Sequence, residues 1–177
     1  DAAKTIAAGI AVKKPGELTF ELCSRYLDEI VTVDDDEIAQ AIRLLMERGK
    51  MVAQGAGAAP VAAIMNRKFD VNGKVAAVIS GGNIDVTMIS RIIEKGLLRA
   101  GRMTKLRILM QDRPGQLEMA SRIIAAEGAN VMVVHHDRTD VDLDIRDAIL
   151  EITMETQDRE HAQRVIDALR AGGCQVS

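Results

Sequence analysis

Lys74-Val75-Ala76-Ala77-Val78-Ile79-Ser80-Gly81-Gly82-Asn83 joins an unbroken apolar run, Val75 to Ile79, to a pair of glycines. An apolar run without alternation reads as a strand buried on both faces, the habit of parallel sheets. The run stops at Ser80-Gly81-Gly82-Asn83, and Asp85 then opens a helically periodic segment, Val86 to Leu97. Strand, glycine turn and helix start together make a site at the carboxyl end of a strand, where open α/β sheets bind ligands. The glycines let backbone approach a ligand closely, and Ser80 offers a hydroxyl that donates or accepts. The plain alternative is an ordinary strand-to-helix turn.

Two upstream stretches weigh against the plain alternative. Gln54-Gly55-Ala56-Gly57-Ala58-Ala59 is a second glycine-rich turn opening a helix, Ala56 to Met65, expected to be buried all round with Pro60 in about its first turn. Thr5-Ile6-Ala7-Ala8-Gly9-Ile10-Ala11-Val12 stands near the start, before Lys14-Pro15-Gly16. Taken in order, these stretches resemble the C-terminal half of the catalytic domain of threonine ammonia-lyases, fold-type II pyridoxal-phosphate enzymes related to serine racemase. The resemblance runs from about Thr5 to Leu97. It implies pyridoxal phosphate as cofactor, with Ser80 holding its pyridine nitrogen and Gly81, Gly82, Gln54 and Gly55 as further cofactor-binding positions. Two residues depart from the family. It usually has an acid where this chain has Ala8, and Glu where this chain has Gln54; both changes remove negative charge near the expected cofactor pocket.

The resemblance also implies parts that are not among these residues. No S-F-K-x-R-type stretch supplies a Schiff-base lysine, and no tetraglycine loop serves the cofactor phosphate. No catalytic residue is therefore assigned in this chain. The expectation is a piece of a longer enzyme that does not catalyse the reaction alone.

The chain has 177 residues, 23 basic and 26 acidic, with one Tyr and two Phe. No basic stripe with interleaved aromatics points to nucleic acid. The apolar stretches are far short of a membrane span. Cys23 and Cys174 lie far apart without metal-ligand spacing, which fits free thiols, a cytoplasmic setting and no metal site. In the first half, Glu17 to Asp28 reads as an amphipathic helix and Glu29 to Val33 as a short strand. The acids Asp34 to Glu37 read as a helix N-terminus, and that helix ends near Gly49. With a polar turn over Asn66 to Gly73, the order is helix, strand, helix, helix, strand, helix: α/β around a mostly parallel sheet. Two strands are too few for such a sheet, so exposed strand edges are expected.

Leu98 to Met103 reads as a linker, separating a domain at 1–97 from another at 104–177. Thr104 to Gln111 alternates, with Leu106, Ile108 and Met110 on one face. Asp112-Arg113-Pro114-Gly115 is a turn. Gln116 to Glu127 carries Leu117, Ala120, Ile123 and Ile124 at helical spacing, with Gly128 as a C′ glycine. Val131 to Val134 is a strand, and Ala148, Leu150, Ile152 and Met154 line a third. Asp158 to Ala171 is a helix with Ala162, Val165, Ile166 and Leu169 inward, and Cys174 to Val176 is a short last strand. This β-α-β-β-α-β order is ferredoxin-like, α+β.

With Asp112-Arg113-Pro114-Gly115-Gln116-Leu117 between first strand and first helix, Thr104 to Val176 resembles the ACT domain, a regulatory amino-acid-binding module. His136-Asp137-Arg138 and Glu160-His161 look like the version attached to threonine ammonia-lyases. The turn has its own physical case: Gly115 lets backbone amides face a carboxylate at a helix N-terminus, and Asp112 takes an ammonium. Asn130-Val131, from a neighbouring subunit, is expected to complete the pocket. Family resemblance makes isoleucine or valine the natural effector. Unpaired edge strands predict at least a homodimer through this domain.

Asp140-Val141-Asp142-Leu143-Asp144 with Glu151 imitates a calcium loop, but Ile145 stands where a sharp-turn glycine is needed; an acidic hairpin is expected. His135 and His136, adjacent on a strand, point to opposite faces and cannot share a metal. His161 is expected as a surface or capping residue. Two readings compete with the lyase: a non-catalytic amino-acid sensor carrying a degenerate lyase remnant, and an unrelated ferredoxin-like interaction module.

Overall fold

The computed structural model describes residues 4–70, 72–141 and 143–177. Val71, in the expected polar turn, and Asp142, in the expected acidic hairpin, lie outside the described residues. The chain divides into two compact units, residues 1–96 and 97–177.

The first unit is helical. Its regular elements are helices α1 (Glu17–Tyr26), α2 (Asp35–Leu44), α3 (Gly55–Met65) and α4 (Val86–Arg99), with a short 3-10 turn at Ala8–Ile10. Asp34 starts α2 as expected: its carboxylate accepts from the Glu37 amide at 2.8 Å, and Glu37 accepts from the Asp34 amide at 2.9 Å. This reciprocal box satisfies two orphan donors of the first turn. A single wider, π-helical turn, Leu45–Gly49, ends the segment, and Lys50 reverses the chain at φ 53°. Ile38, Ala41 and Ile42 pack with Ala58 and Ala62 of α3, and with Ile92 of α4, to make a small core.

Several expectations for this unit are corrected. Val75 to Ile79 is extended but forms no strand, and Val78 is 75% exposed rather than buried on both faces. Glu29 to Val33 likewise forms no strand. The physical reason is shared: among the described residues of this unit no strand offers a ladder partner, so neither run has backbone groups to pair with. Helix α1 forms, yet none of its residues is buried. Pro60 stands at the sixth position of α3, not in its first turn, so the helix forgoes the hydrogen bond to the Ala56 carbonyl there. Helix α3 buries five residues rather than its whole circumference: Gly55, Gly57, Ala58, Ala62 and Ala63. The segment read as a linker is shorter than 98–103: Leu98 and Arg99 belong to α4, and Met103 already belongs to a strand.

The second unit is a four-stranded antiparallel sheet with two helices on one face. Its elements are β1 (Met103–Gln111), α5 (Gln116–Ala126), β2 (Asn130–Asp137), β3 (Asp147–Glu155), α6 (Arg159–Ala171) and β4 (Gln175–Val176). The order across the sheet is β2-β3-β1-β4, the ferredoxin-like arrangement expected. The pairing of β1 with β3 runs unbroken from Met103↔Glu155 to Gln111↔Asp147. Leu106, Ile108 and Met110 of β1 and Leu150, Ile152 and Met154 of β3 form the buried face. They pack on Ala120 and Ile124 of α5 and on Val165 and Leu169 of α6. Both helices end in the same way. Gly128 (φ 80°) and Gly173 (φ 88°) adopt the left-handed conformation one residue past the cap. Paired 5→2 and 6→1 hydrogen bonds then close each end: Gly128 to Ala125 and Ala129 to Ile124, Gly173 to Arg170 and Cys174 to Leu169.

One residue differs from expectation here, and a second resolves an open one. Leu117, at helical spacing with the core, is 41% exposed, because it belongs to the first turn of α5, at the edge of the sheet. His161 is 2% exposed, so of its two expected roles, surface or capping, the capping one holds. Its Nδ1 accepts from the Gln157 amide at 3.1 Å, and its Nε2 lies 2.8 Å from the Glu127 carbonyl. The neutral tautomer with hydrogen on Nε2 satisfies both partners, joining the start of α6 to the end of α5.

Candidate functional sites in each unit

In the first unit the three quoted stretches converge. Thr5 Oγ1 donates to Asp35 Oδ1, and the Ile6 amide donates to the same oxygen at 3.2 Å, pinning the N-terminal stretch to the start of α2. The Gln54 amide donates to the Gly81 carbonyl at 2.9 Å, and Gln54 Oε1 accepts from the Asn83 amide at 3.2 Å. Gln54 thus ties the second stretch to the third by backbone and side chain. The glycines are explained by this packing. A Cβ on Gly55 would lie 2.2 Å from the Ile6 carbonyl oxygen, and one on Gly57 would lie 2.9 Å from the Gly81 carbonyl oxygen.

The three stretches enclose a pocket of about 340 Å³ whose wall includes Ala8, Gly9, Gln54, Gly55, Asn83 and Asp85. Of the expected cofactor positions, Gln54 and Gly55 line it. Gly81 and Gly82 do not; they form the layer behind, against Gln54 and the Val52 carbonyl. Ser80 is exposed and is not part of the wall. Ala8 and Gln54, the two departures from the family pattern, share the pocket. Asp85 brings one carboxylate, which accepts from the amide and hydroxyl of Thr87 at 2.7 and 2.8 Å. The Thr87 amide, first, and its hydroxyl hold the Asp85 carboxyl below its ordinary 3.8, so it stays ionised at neutral pH.

The wall offers one side of a flat, polar ring a neutral amide and backbone at glycine turns; the Ser80 hydroxyl lies close in sequence but outside that wall. No lysine lines the pocket, so the covalent anchor of such a cofactor is not supplied by its described wall.

In the second unit the ferredoxin-like topology itself builds the site. Strands β1 and β2 are both antiparallel to β3, so they run parallel to each other and end at the same edge of the sheet. Asp112, just past β1, is held there by its amide's 2.8 Å bond to the Arg146 carbonyl. Gly115 (φ 91°) turns the chain into α5. The resulting pocket of about 430 Å³ is lined by Asp112, Arg113, Pro114, Gly115, Gln116 and Leu117, together with Met110, Gln111, His136 and Arg138. The carboxylate of Asp112 pairs with Arg138 Nε at 3.0 Å, and His136 Nε2 lies 3.7 Å away.

His136 and Arg138 line this pocket although sequence reasoning did not assign them to it; Asn130 and Val131 were expected there from a neighbouring subunit. Those two occupy the opposite end of β2, where Asn130 Nδ2 donates to Glu155 at 3.0 Å. The signal was available: His136 and Arg138 close the second strand, and parallel strands put that end beside Asp112. The backbone around Arg138 is set by Asp137, which accepts from the amide and hydroxyl of Thr139, both at 2.8 Å. Those bonds, the amide's first, hold the Asp137 carboxyl below its ordinary value. Among the described residues no group of three or more His, Cys, Asp or Glu side chains is arranged to hold a metal, and no helix is long and apolar enough to cross a membrane.

Comparison with known proteins agrees with the motifs. Residues 1–81 match the family described as pyridoxal-phosphate dependent enzyme. The chain is 51% identical over 173 residues to an L-threonine ammonia-lyase of Thermotoga maritima, covering 97% of this chain and 43% of the relative. It is 46% identical over 170 residues to an L-threonine ammonia-lyase of Geobacter sulfurreducens, covering 96% of this chain and 42% of the relative. A crystal structure of serine racemase from Dictyostelium discoideum is 33% identical, with a TM-score of 0.41, over 49% of this chain and 29% of that one. The chain thus spans about two fifths of the length of the curated relatives it matches. The motifs, the family match over residues 1–81 and the alignments along nearly all of this chain make it similar to a segment of L-threonine ammonia-lyases, which are pyridoxal-phosphate-dependent enzymes.

Proposed function

We propose that this chain is part of a pyridoxal-phosphate-dependent lyase that converts threonine to 2-oxobutanoate and ammonia, and that its second unit senses an amino acid. The observation that carries the first half is the convergence of three separate stretches, two of them glycine-rich, on one pocket. The cofactor, when bound, supplies the electron sink for breaking bonds at the substrate's α-carbon. This chain's share is positional. Ser80 offers a neutral hydroxyl to the pyridine nitrogen, and the Gln54–Gly81 and Gln54–Asn83 bonds keep that turn in place. Lysine and phosphate-binding loop come from sequence other than these residues.

The carrying observation for the second half is the pocket at the joint edge of β1 and β2, which combines a carboxylate, a guanidinium and an apolar wall. Isoleucine or valine is the proposed effector. Met132 and Val133, exposed on the edge strand β2, make that edge the proposed dimer contact. Two free cysteines suit work in the cytoplasm.

One observation favours a second reading. Both family acids are replaced, at Ala8 and Gln54, and both replacements face the same pocket. A chain that had lost catalysis and kept sensing would show that pattern.

The test uses the full-length protein carrying this sequence. Threonine-dependent release of 2-oxobutanoate is expected, with Ser80→Ala weakening cofactor affinity by the worth of one hydrogen bond, about 0.5–1.5 kcal/mol. No turnover alongside intact amino-acid binding would favour the sensor reading. Sedimentation of this chain as a monomer would remove the dimer.

A further inference from the structure

Asp112, His136 and Arg138 form the charged wall of the second unit's pocket, and Met110, Pro114 and Leu117 its apolar wall. The amino-acid reading gives Asp112 one task, binding an ammonium. In the structure Asp112 is already engaged, with Arg138 Nε 3.0 Å from one carboxylate oxygen and His136 3.7 Å from the other. The pair is half open to water, Arg138 more so than Asp112, so little binds it shut. A cationic amine entering alone would displace Arg138 and leave its guanidinium unpaired beside a second positive charge. An anion entering alone would draw Arg138 away and leave Asp112 facing it; Arg113 on the same rim makes an anion the nearer competitor. A zwitterion brings one charge for each partner.

We propose that the ligand enters by ion-pair exchange: its ammonium takes the place of Arg138 on Asp112, and its carboxylate takes the place of Asp112 on Arg138. Arg138 is then the carboxylate reader. The guanidinium suits this role because its planar fork matches a carboxylate with two parallel hydrogen bonds. The side chain of the ligand lies on Met110 and Leu117, which accounts for a leucine left uncovered at a helical core position. The inference rests on the amino-acid reading above and adds the chemical class: α-amino acids with both charges free, not amines, 2-hydroxy acids or amino-acid amides.

Calorimetry on the full chain tests it. Isoleucine, valine, threonine and serine are titrated first, and the tightest binder is then compared with its carboxamide and its 2-hydroxy acid. Wild type is expected to prefer the amino acid over either analogue by about tenfold or more, the worth of a charge-assisted hydrogen bond. Arg138→Met should abolish the preference over the carboxamide and keep that over the hydroxy acid. Asp112→Asn should do the reverse, and Arg138→Lys should restore part of the first preference. Both side chains lie at the surface, so loss of folding does not obscure the comparison. Wild type binding the carboxamide or hydroxy acid equally well, or Arg138→Met keeping its preference over the carboxamide, overturns the exchange while leaving amino-acid sensing intact. Binding of none of the four amino acids overturns the sensing reading itself, and the exchange with it.

Discussion

Gly55 and Gly81 stand at the same junction but tolerate a methyl group differently. At Gly55 the added carbon meets the Ile6 backbone at 2.2 Å, and backbone cannot swing aside. At Gly81 it meets the side chain of Gln54 at 2.9 Å, whose far end can rotate away. Overpacking of the first kind costs about 1–3 kcal/mol, so Gly55→Ala should lower the urea midpoint of the first unit clearly more than Gly81→Ala. Equal midpoints would mean that the three stretches are not packed this tightly. Asp85 gives a second prediction at this scale. Its carboxyl is held below 3.8 by the Thr87 amide first and hydroxyl second. A depressed folded value means the cap supports α4 above the ordinary aspartate range and is lost as pH falls through the lowered value. Carbon-detected titration should place Asp85 below an unstructured aspartate, and Thr87→Val should raise it only part of the way, since the amide donor remains. Glycine spacing and Asp85 were legible as turn and cap. That Gln54 bonds to Asn83 was not, because no local rule foretells a side chain bridging residues so distant in sequence.

Helices α5 and α6 are held by more than apolar contact. His161 satisfies the Gln157 amide and the Glu127 carbonyl at once. His161→Leu keeps much of the volume and takes a partner from two part-buried backbone groups, a cost of up to about 1–3 kcal/mol for a group left unsatisfied. Thermal unfolding of the second unit should shift down accordingly; an unchanged midpoint would show that water replaces the imidazole freely. The glycine ends of these helices were readable, because a left-handed residue after a periodic apolar run has few alternatives to glycine. His161 was left between surface and capping because it falls among charged and amide neighbours, and its position in the first turn of α6, against the end of α5, decides for capping. Gly128→Ala and Gly173→Ala meet no atom within 4 Å, so each should cost only the backbone strain of a left-handed alanine, about 1–2 kcal/mol.

Across the molecule, legibility followed whether a segment's partner lies in the same chain. Leu106, Ile108 and Met110 alternate because β3 and the helices that bury them are all present, so pattern and burial agree. Val75 to Ile79 has an equally clear apolar pattern and no ladder to join among the described residues. An apolar run records what a segment requires, not what it meets. Hydrogen exchange should separate the two. Amides of β1 and β3 that bond across their shared register should exchange slowly, and those of Val75 to Ile79 rapidly. Comparable protection in both places would mean the run finds a partner in another copy. Asp112 and Arg113 were legible as a site for the same reason, and Arg138 was overlooked because two strands separate in sequence had to be placed parallel first.

The long pairing of β1 with β3 also has a consequence in time. The central strand leaves the ribosome first, yet its principal neighbour follows only after α5, β2 and the acidic hairpin have been made. At about 5–20 residues per second, that interval lasts roughly a few seconds. Throughout it Leu106, Ile108 and Met110 present a bare apolar ridge, while only α5 is available to shelter it. Mutations that weaken α5 should therefore lower the yield of folded chain during synthesis more than they lower the stability of chains that have already folded.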